Sequence, residues 1–197
     1  MNKKQNQIFR LSVLALMCAL CYIGFQFFRI DIPLGGSSTA IHFGNIFCVL
    51  AALILGGVPG GLAGAIGMGL ADLMNPLYVT SAPQTMILKM GIGCITGFVA
   101  YRIGHINTIT DSKQLTKWTI LSAIAGMGFN VIADPVVSYF YKNLVLGIPS
   151  SSAKIFAAWT AGTTLFNAVV SVIIASALYL ALRKATAHQS LSKRLFK

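Results

Sequence analysis

The chain has 197 residues, 56% of them hydrophobic and only 10% charged, with a formal net charge of +11. A soluble domain carries about 25% charged residues, so too little charge is present to coat a water-facing surface, and a mean hydropathy of +0.76 points to lipid as the solvent. The positive charge does not indicate nucleic acid: eight of fifteen Lys and Arg lie in the tails (Lys3, Lys4, Arg10, Arg183, Lys184, Lys193, Arg194 and Lys197), and no basic face alternates with aromatics.

Apolar stretches fall at 11–28, 43–57, 60–74, 83–104, 117–141 and 153–183. The first follows a basic start, as a cleaved leader would. The apolar run is long, however, and no small-x-small site precedes a polar start, so it is read as a retained helix. On it Ala15 and Ala19 are one turn apart with Ser12 nearby, a small stripe that either packs internally or faces another subunit. The segment from Arg29 to His42 forms the first outer loop. Its Gly35-Gly36-Ser37-Ser38 is suited to a lid or to a plain connector, and His42 and Asn45 stand at the mouth of the second helix.

The stretch from Ala40 to Leu73 is too long for one crossing and is interrupted by Gly56-Gly57-Val58-Pro59-Gly60, which predicts a hairpin of two short helices. Glycines crowd the third span, and Gly91, Gly93 and Gly97 mark the fourth, a spacing that lets membrane helices approach closely. Asp72 near the outer end of the third helix and Lys89 about two turns into the fourth fall at comparable depth. They are candidates for an ion pair, for ligand contacts, or for both. In the fifth span Asn130 and Asp134 are one turn apart, beside Pro135. In the sixth, Trp159, Thr163, Phe166 and Asn167 recur at helical spacing, an aromatic plate beside an amide suited to a flat or amphipathic ligand. Trp159 as an interfacial anchor and Asn167 as an interhelical tie remain open. Cys18, Cys21, Cys48 and Cys94 read as small packing residues, and no metal site is expected.

Six spans with both ends cytoplasmic place eleven basic residues inside (the tails, Arg102, Lys113 and Lys117) against Arg29, Lys142 and Lys154 outside. The expected fold is an all-α integral membrane protein of six helices in one domain, 1–197. No phosphate loop, zincin motif or nucleophile elbow is present, so neither an ATP engine nor a recognisable catalytic group is encoded.

The Ala15-x-x-x-Ala19 stripe, His42-Phe43-Gly44-Asn45, the glycine-rich run from Leu53 to Asp72, Ala82-Pro83-x-Thr85-x-Ile87-x-Lys89 and Gly93-x-x-x-Gly97 together resemble the substrate-binding S components of energy-coupling factor (ECF) vitamin transporters. The resemblance implies a non-enzymatic cell-membrane subunit that binds one vitamin under the first outer loop. It implies docking on a transmembrane coupling subunit served by two ATPases, and delivery of the pocket inward by toppling in the bilayer. It turns Ala15 and Ala19 toward the coupling subunit, with no cofactor of the chain's own. The polar and aromatic residues His42, Asn45, Asp72, Lys89, Asn130, Asp134, Trp159 and Asn167, read from their positions in the spans, are the expected substrate contacts. Asp72-Leu73-Met74-Asn75-Pro76-Leu77-Tyr78 resembles members that handle pantothenate or hydroxymethylpyrimidine and pyridoxine-like compounds. Lys89 tips the expectation toward a carboxylate ligand, pantothenate. A small membrane enzyme and a stand-alone secondary transporter are the alternatives.

Overall fold

The computed structural model describes residues 3–33 and 38–186, the side chain of Lys3 excepted. The lid segment Gly35–Ser37 and the basic residues Lys193, Arg194 and Lys197 lie outside the described residues. Six α-helices follow in order: α1 Lys3–Gln26, α2 Gly44–Leu55, α3 Gly57–Leu73, α4 Ala82–Phe98, α5 Ser112–Phe140 and α6 Ser150–Thr186. The segments Lys4–Gln26, Val79–Ile103, Ser112–Val145 and Ser150–Thr186 are long and apolar enough to cross a membrane, whereas α2 has 12 residues and α3 has 17. α4 and α5 each end in a π-helical turn, Val99–Ile103 and Tyr141–Val145.

The all-helical expectation needs one correction. The first outer loop pairs with itself as an antiparallel ribbon, β1 Arg29–Pro33 with β2 Ser38–His42, in the register Arg29↔His42 to Pro33↔Ser38. Ile30, Ile32, Thr39 and Ile41 are β-formers, and pairing satisfies backbone groups that an irregular loop would leave open at the membrane face.

The split of the second apolar stretch falls at Gly56, whose φ of +98° is open to glycine and strained for any other residue. α2 ends there, and its last carbonyls are taken up by side chains from other helices. Arg10 Nη2 donates to Leu55 O at 2.8 Å, and the Tyr101 hydroxyl lies 2.7 Å from Leu53 O and 3.1 Å from Ile54 O. Almost every residue of α2 is buried, because α1, α3, α4 and α6 all pack around it. Large apolar side chains such as Ile132, Leu144 and Ile173 point outward, as lipid contact requires.

α3 and α4 meet through glycine. A Cβ on Gly93 would fall on the backbone of Gly61, and one on Gly97 on the backbone of Gly57. Two small-x-x-x-small pairs therefore bring backbones into direct contact, where dispersion and Cα–H contacts hold the helices. Gly93→Val is expected to cost at least about 1–3 kcal/mol through overpacking, read as a lowered melting temperature of the purified protein. An unchanged melt would show that the two helices separate freely.

Candidate functional site

α3 delivers Asp72 at its last turn, α4 carries Lys89 two turns in, and α2 begins with Asn45 directly after β2. The outer ends of α5 and α6 close the ring. The result is a cavity of about 90 Å³ beneath the ribbon, whose lining includes Asn45, Asp72, Lys89, Asp134, Lys142 and Thr164.

The ribbon roofs this cavity and is fastened on two sides. Toward α6, Asn167 acts as a surrogate strand: its Oδ1 accepts from His42 N–H at 3.0 Å and its Nδ2 donates to Ala40 O at 2.9 Å. Thr39 and Thr163 share a hydroxyl hydrogen bond of 2.7 Å. Toward the segment linking α3 to α4, the Tyr78 hydroxyl donates to Asp31 Oδ1 at 2.7 Å, Arg29 pairs with Asp31 at 3.2 Å, and the guanidinium lies 5.1 Å from the Tyr78 ring centroid. Asn167→Leu removes both amide bonds, so hydrogen exchange at the His42 amide is expected to rise well above wild type. Unaltered exchange would show that Asn167 is not what holds β2.

His42 sits under this roof, edge-on to Phe25 with ring centroids 4.6 Å apart. Burial first, then the positive charges of Lys89 and Arg29, hold its imidazole well below the usual pKa. The folded state refuses a proton that the unfolded imidazole accepts near pH 6.5. This contribution to stability is therefore complete above about pH 6.5 and declines as pH falls below it. Melting of the ligand-free protein from about pH 8 to about pH 5 should show the decline, and His42→Gln should flatten it.

Six of the eight expected contact residues line the cavity: His42, Asn45, Asp72, Lys89, Asp134 and Asn167. Asp134 is held in place, its Oδ2 accepting from the Thr164 hydroxyl at 2.6 Å and its Oδ1 from Gln84 Nε2 at 3.3 Å. Lys89 packs its stem on α3, where a Cβ on Gly64 would come within 3.1 Å of Lys89 Cβ. The anticipated Lys89–Asp72 ion pair does not form: among the described residues the ammonium has no carboxylate oxygen within 4.0 Å.

Two expected residues fall elsewhere. Trp159 is 51% exposed and lines a separate surface groove with Phe166, so the aromatic plate faces away from the cavity. Asn130 is buried one turn below Asp134, outside the cavity lining, and both polar atoms of its amide have no hydrogen-bond partner among the described residues.

Sequence reading missed Thr160, Thr164, Ser138 and Lys142, which all line the cavity. Their signal was spacing: 160, 164 and 167 share one stripe of α6, and 134, 138 and 142 share one stripe of α5. Lys142, assigned to an outer loop, is carried inward by the π-helical turn, and its ammonium lies 5.2 Å from the Phe156 ring centroid.

The architecture is that of a known class of membrane protein. The crystal structure of the S component for biotin from an ECF-type ABC transporter superposes with a TM-score of 0.62 at 19% identity, covering 100% of both chains. The family described as "ECF-type riboflavin transporter, S component" matches residues 5–184, and the chain belongs to this family of ECF S components. An uncharacterised protein from Pyrococcus woesei is 35% identical over 121 residues, which is 60% of this chain and 80% of that one.

Proposed function

We propose that this chain is the membrane-embedded binding subunit of an ATP-driven importer and captures a water-soluble vitamin or precursor beneath the ribbon, pantothenate first and a hydroxymethylpyrimidine or pyridoxine-like compound next. The observation that carries the reading is a polar cavity lined by a buried lysine, Lys89, which is 6% exposed and has no carboxylate oxygen within 4.0 Å among the described residues. Buried ammonium groups are costly unless something anionic or hydrogen-bonding meets them, and a carboxylate ligand supplies that.

In this reading a transmembrane coupling subunit and two ATPases supply the energy, because the chain itself carries no phosphate loop. The excess of basic residues on the inner segments puts both termini in the cytoplasm, with six crossings.

Riboflavin is the second reading, favoured by the family description. A thermal-shift panel on the detergent-purified chain separates the two, since a tight ligand stabilises the folded state by mass action. Pantothenate should raise the melting temperature, whereas panthenol, which has an alcohol in place of the carboxylate, should not. A shift with riboflavin alone would replace the first reading by the second. Product formation from any compound, or uptake by the chain alone in vesicles, would defeat both.

A further inference from the structure

Three polar side chains reach the cavity from β2, α2 and α3 with atoms that the protein leaves unengaged. His42 Nδ1, Asn45 Oδ1 and both carboxylate oxygens of Asp72 have no hydrogen-bond partner among the described residues. Asn45 and Asp72 are each 1% exposed, so bulk water does not satisfy them. The Thr85 hydroxyl stands beside Asp72 without hydrogen-bond geometry. Asp134, the other acid of the cavity, is the contrast: both of its oxygens are engaged, by Gln84 and Thr164. Lys89 lines the same cavity with no carboxylate oxygen within 4.0 Å among the described residues.

A buried charge is normally paired and hydrogen-bonded, because leaving it unpaired is expensive. Here an acid and a base line one small cavity without meeting. The chemistry of the atoms is one-sided: the Asp72 carboxylate and Asn45 Oδ1 only accept, whereas the Lys89 ammonium only donates.

We infer that the bound ligand bridges Asp72 and Lys89, presenting at least one O–H or N–H donor to the Asp72–Asn45 wall and an acceptor oxygen to Lys89. This rests on the cavity being the ligand site, and it narrows the substrate class. The molecule carries a hydroxyl or amide N–H within reach of a carbonyl or carboxylate. A simple carboxylic acid satisfies Lys89 and leaves Asp72 unpaired. Pantothenate meets the requirement through its hydroxyls and amide, and riboflavin through an imide N–H flanked by carbonyls.

The test uses the purified full chain and Asp72→Asn, with two readouts. In the first, the ligand-free variant should melt at the wild-type temperature or above it, since a neutral amide replaces an unpaired buried charge. A drop of several degrees, or failure to fold, would show that Asp72 is paired within the protein and overturn the inference. This readout does not depend on which vitamin binds. In the second, pantothenate and riboflavin are titrated beside analogues that lack the donors named above: an N-acyl-N-methyl-β-alanine without hydroxyls, and riboflavin methylated on its imide nitrogen. Whichever parent binds, its analogue should bind about tenfold to a hundredfold more weakly, and Asp72→Asn should erase that preference. Equal binding of parent and analogue overturns the inference. Failure of both parents to bind the wild type counts against the vitamin assignments instead, and the ligand-free melt then decides the claim about Asp72.

Discussion

Lys89→Ala is expected to weaken pantothenate binding by about tenfold to a hundredfold, the worth of roughly 1.5–3 kcal/mol for a hydrogen bond to a charged group. The expectation is this large because of where the ammonium sits. It is 6% exposed, lines the cavity two turns into α4, and has no carboxylate within 4.0 Å among the described residues. A lysine locked in a structural ion pair would have a different signature, since removing one partner of a buried pair destabilises the fold by about 3–5 kcal/mol. Lys89→Ala should therefore lower affinity while leaving the ligand-free melting temperature close to wild type. Titration calorimetry on the purified variant reads the first quantity and a thermal melt the second. Wild-type affinity would remove Lys89 from the site, and a collapsed melt would return it to the structural role that the sequence left open.

Enlarging the small stripe of α1 is expected to abolish uptake and leave binding intact. Ala15 and Ala19 are exposed, whereas Met17, Cys21 and Phe25 on the other side of the helix are buried. The stripe borders a groove between α1 and α3 lined by Cys18, Ala19, Tyr22, Ile66, Gly67 and Leu70. A tryptophan at position 15 would thus meet no atom of the cavity, but it would hold a coupling helix off the surface where close approach supplies the attraction. Ala15→Trp should bind pantothenate as wild type does in detergent and transport none when co-expressed with the coupling subunit and ATPases. Normal uptake would sink the interface assignment.

The fold was largely legible because its boundaries are chemical. Gly56 at positive φ and the glycines facing one another across α3 and α4 are both written in residue types. The ribbon was less legible. Its strands have five residues each, and half of what fixes β2 is the amide of Asn167, which lies 125 residues from its partner His42. The site was legible in composition and less so in rotation. Neighbouring positions on a helix differ by about 100° in direction, so reading the α6 stripe through Trp159 rather than Thr160 turned an aromatic inward that in fact faces out. Lys142 escaped because the fifth apolar stretch ends at 141, whereas the helix continues through a π-helical turn to Val145.

The capping of α2 has a consequence for the bilayer itself. At about 1.5 Å per residue α2 is only about 18 Å long, against about 30 Å for a hydrocarbon core. A straight helix of that length is shorter than such a core, and its terminal carbonyls take their donors from Arg10 and Tyr101. Arg10 pays for this with its own position, about 24 Å along α1 from Gln26 by the same rise. A part-buried guanidinium that far along a membrane helix is expected to draw headgroup phosphates and water toward it. Membrane thickness is thus expected to enter the protein's energetics: short-chain lipids, which need less deformation around so short a helix, should suit this protein better than long ones.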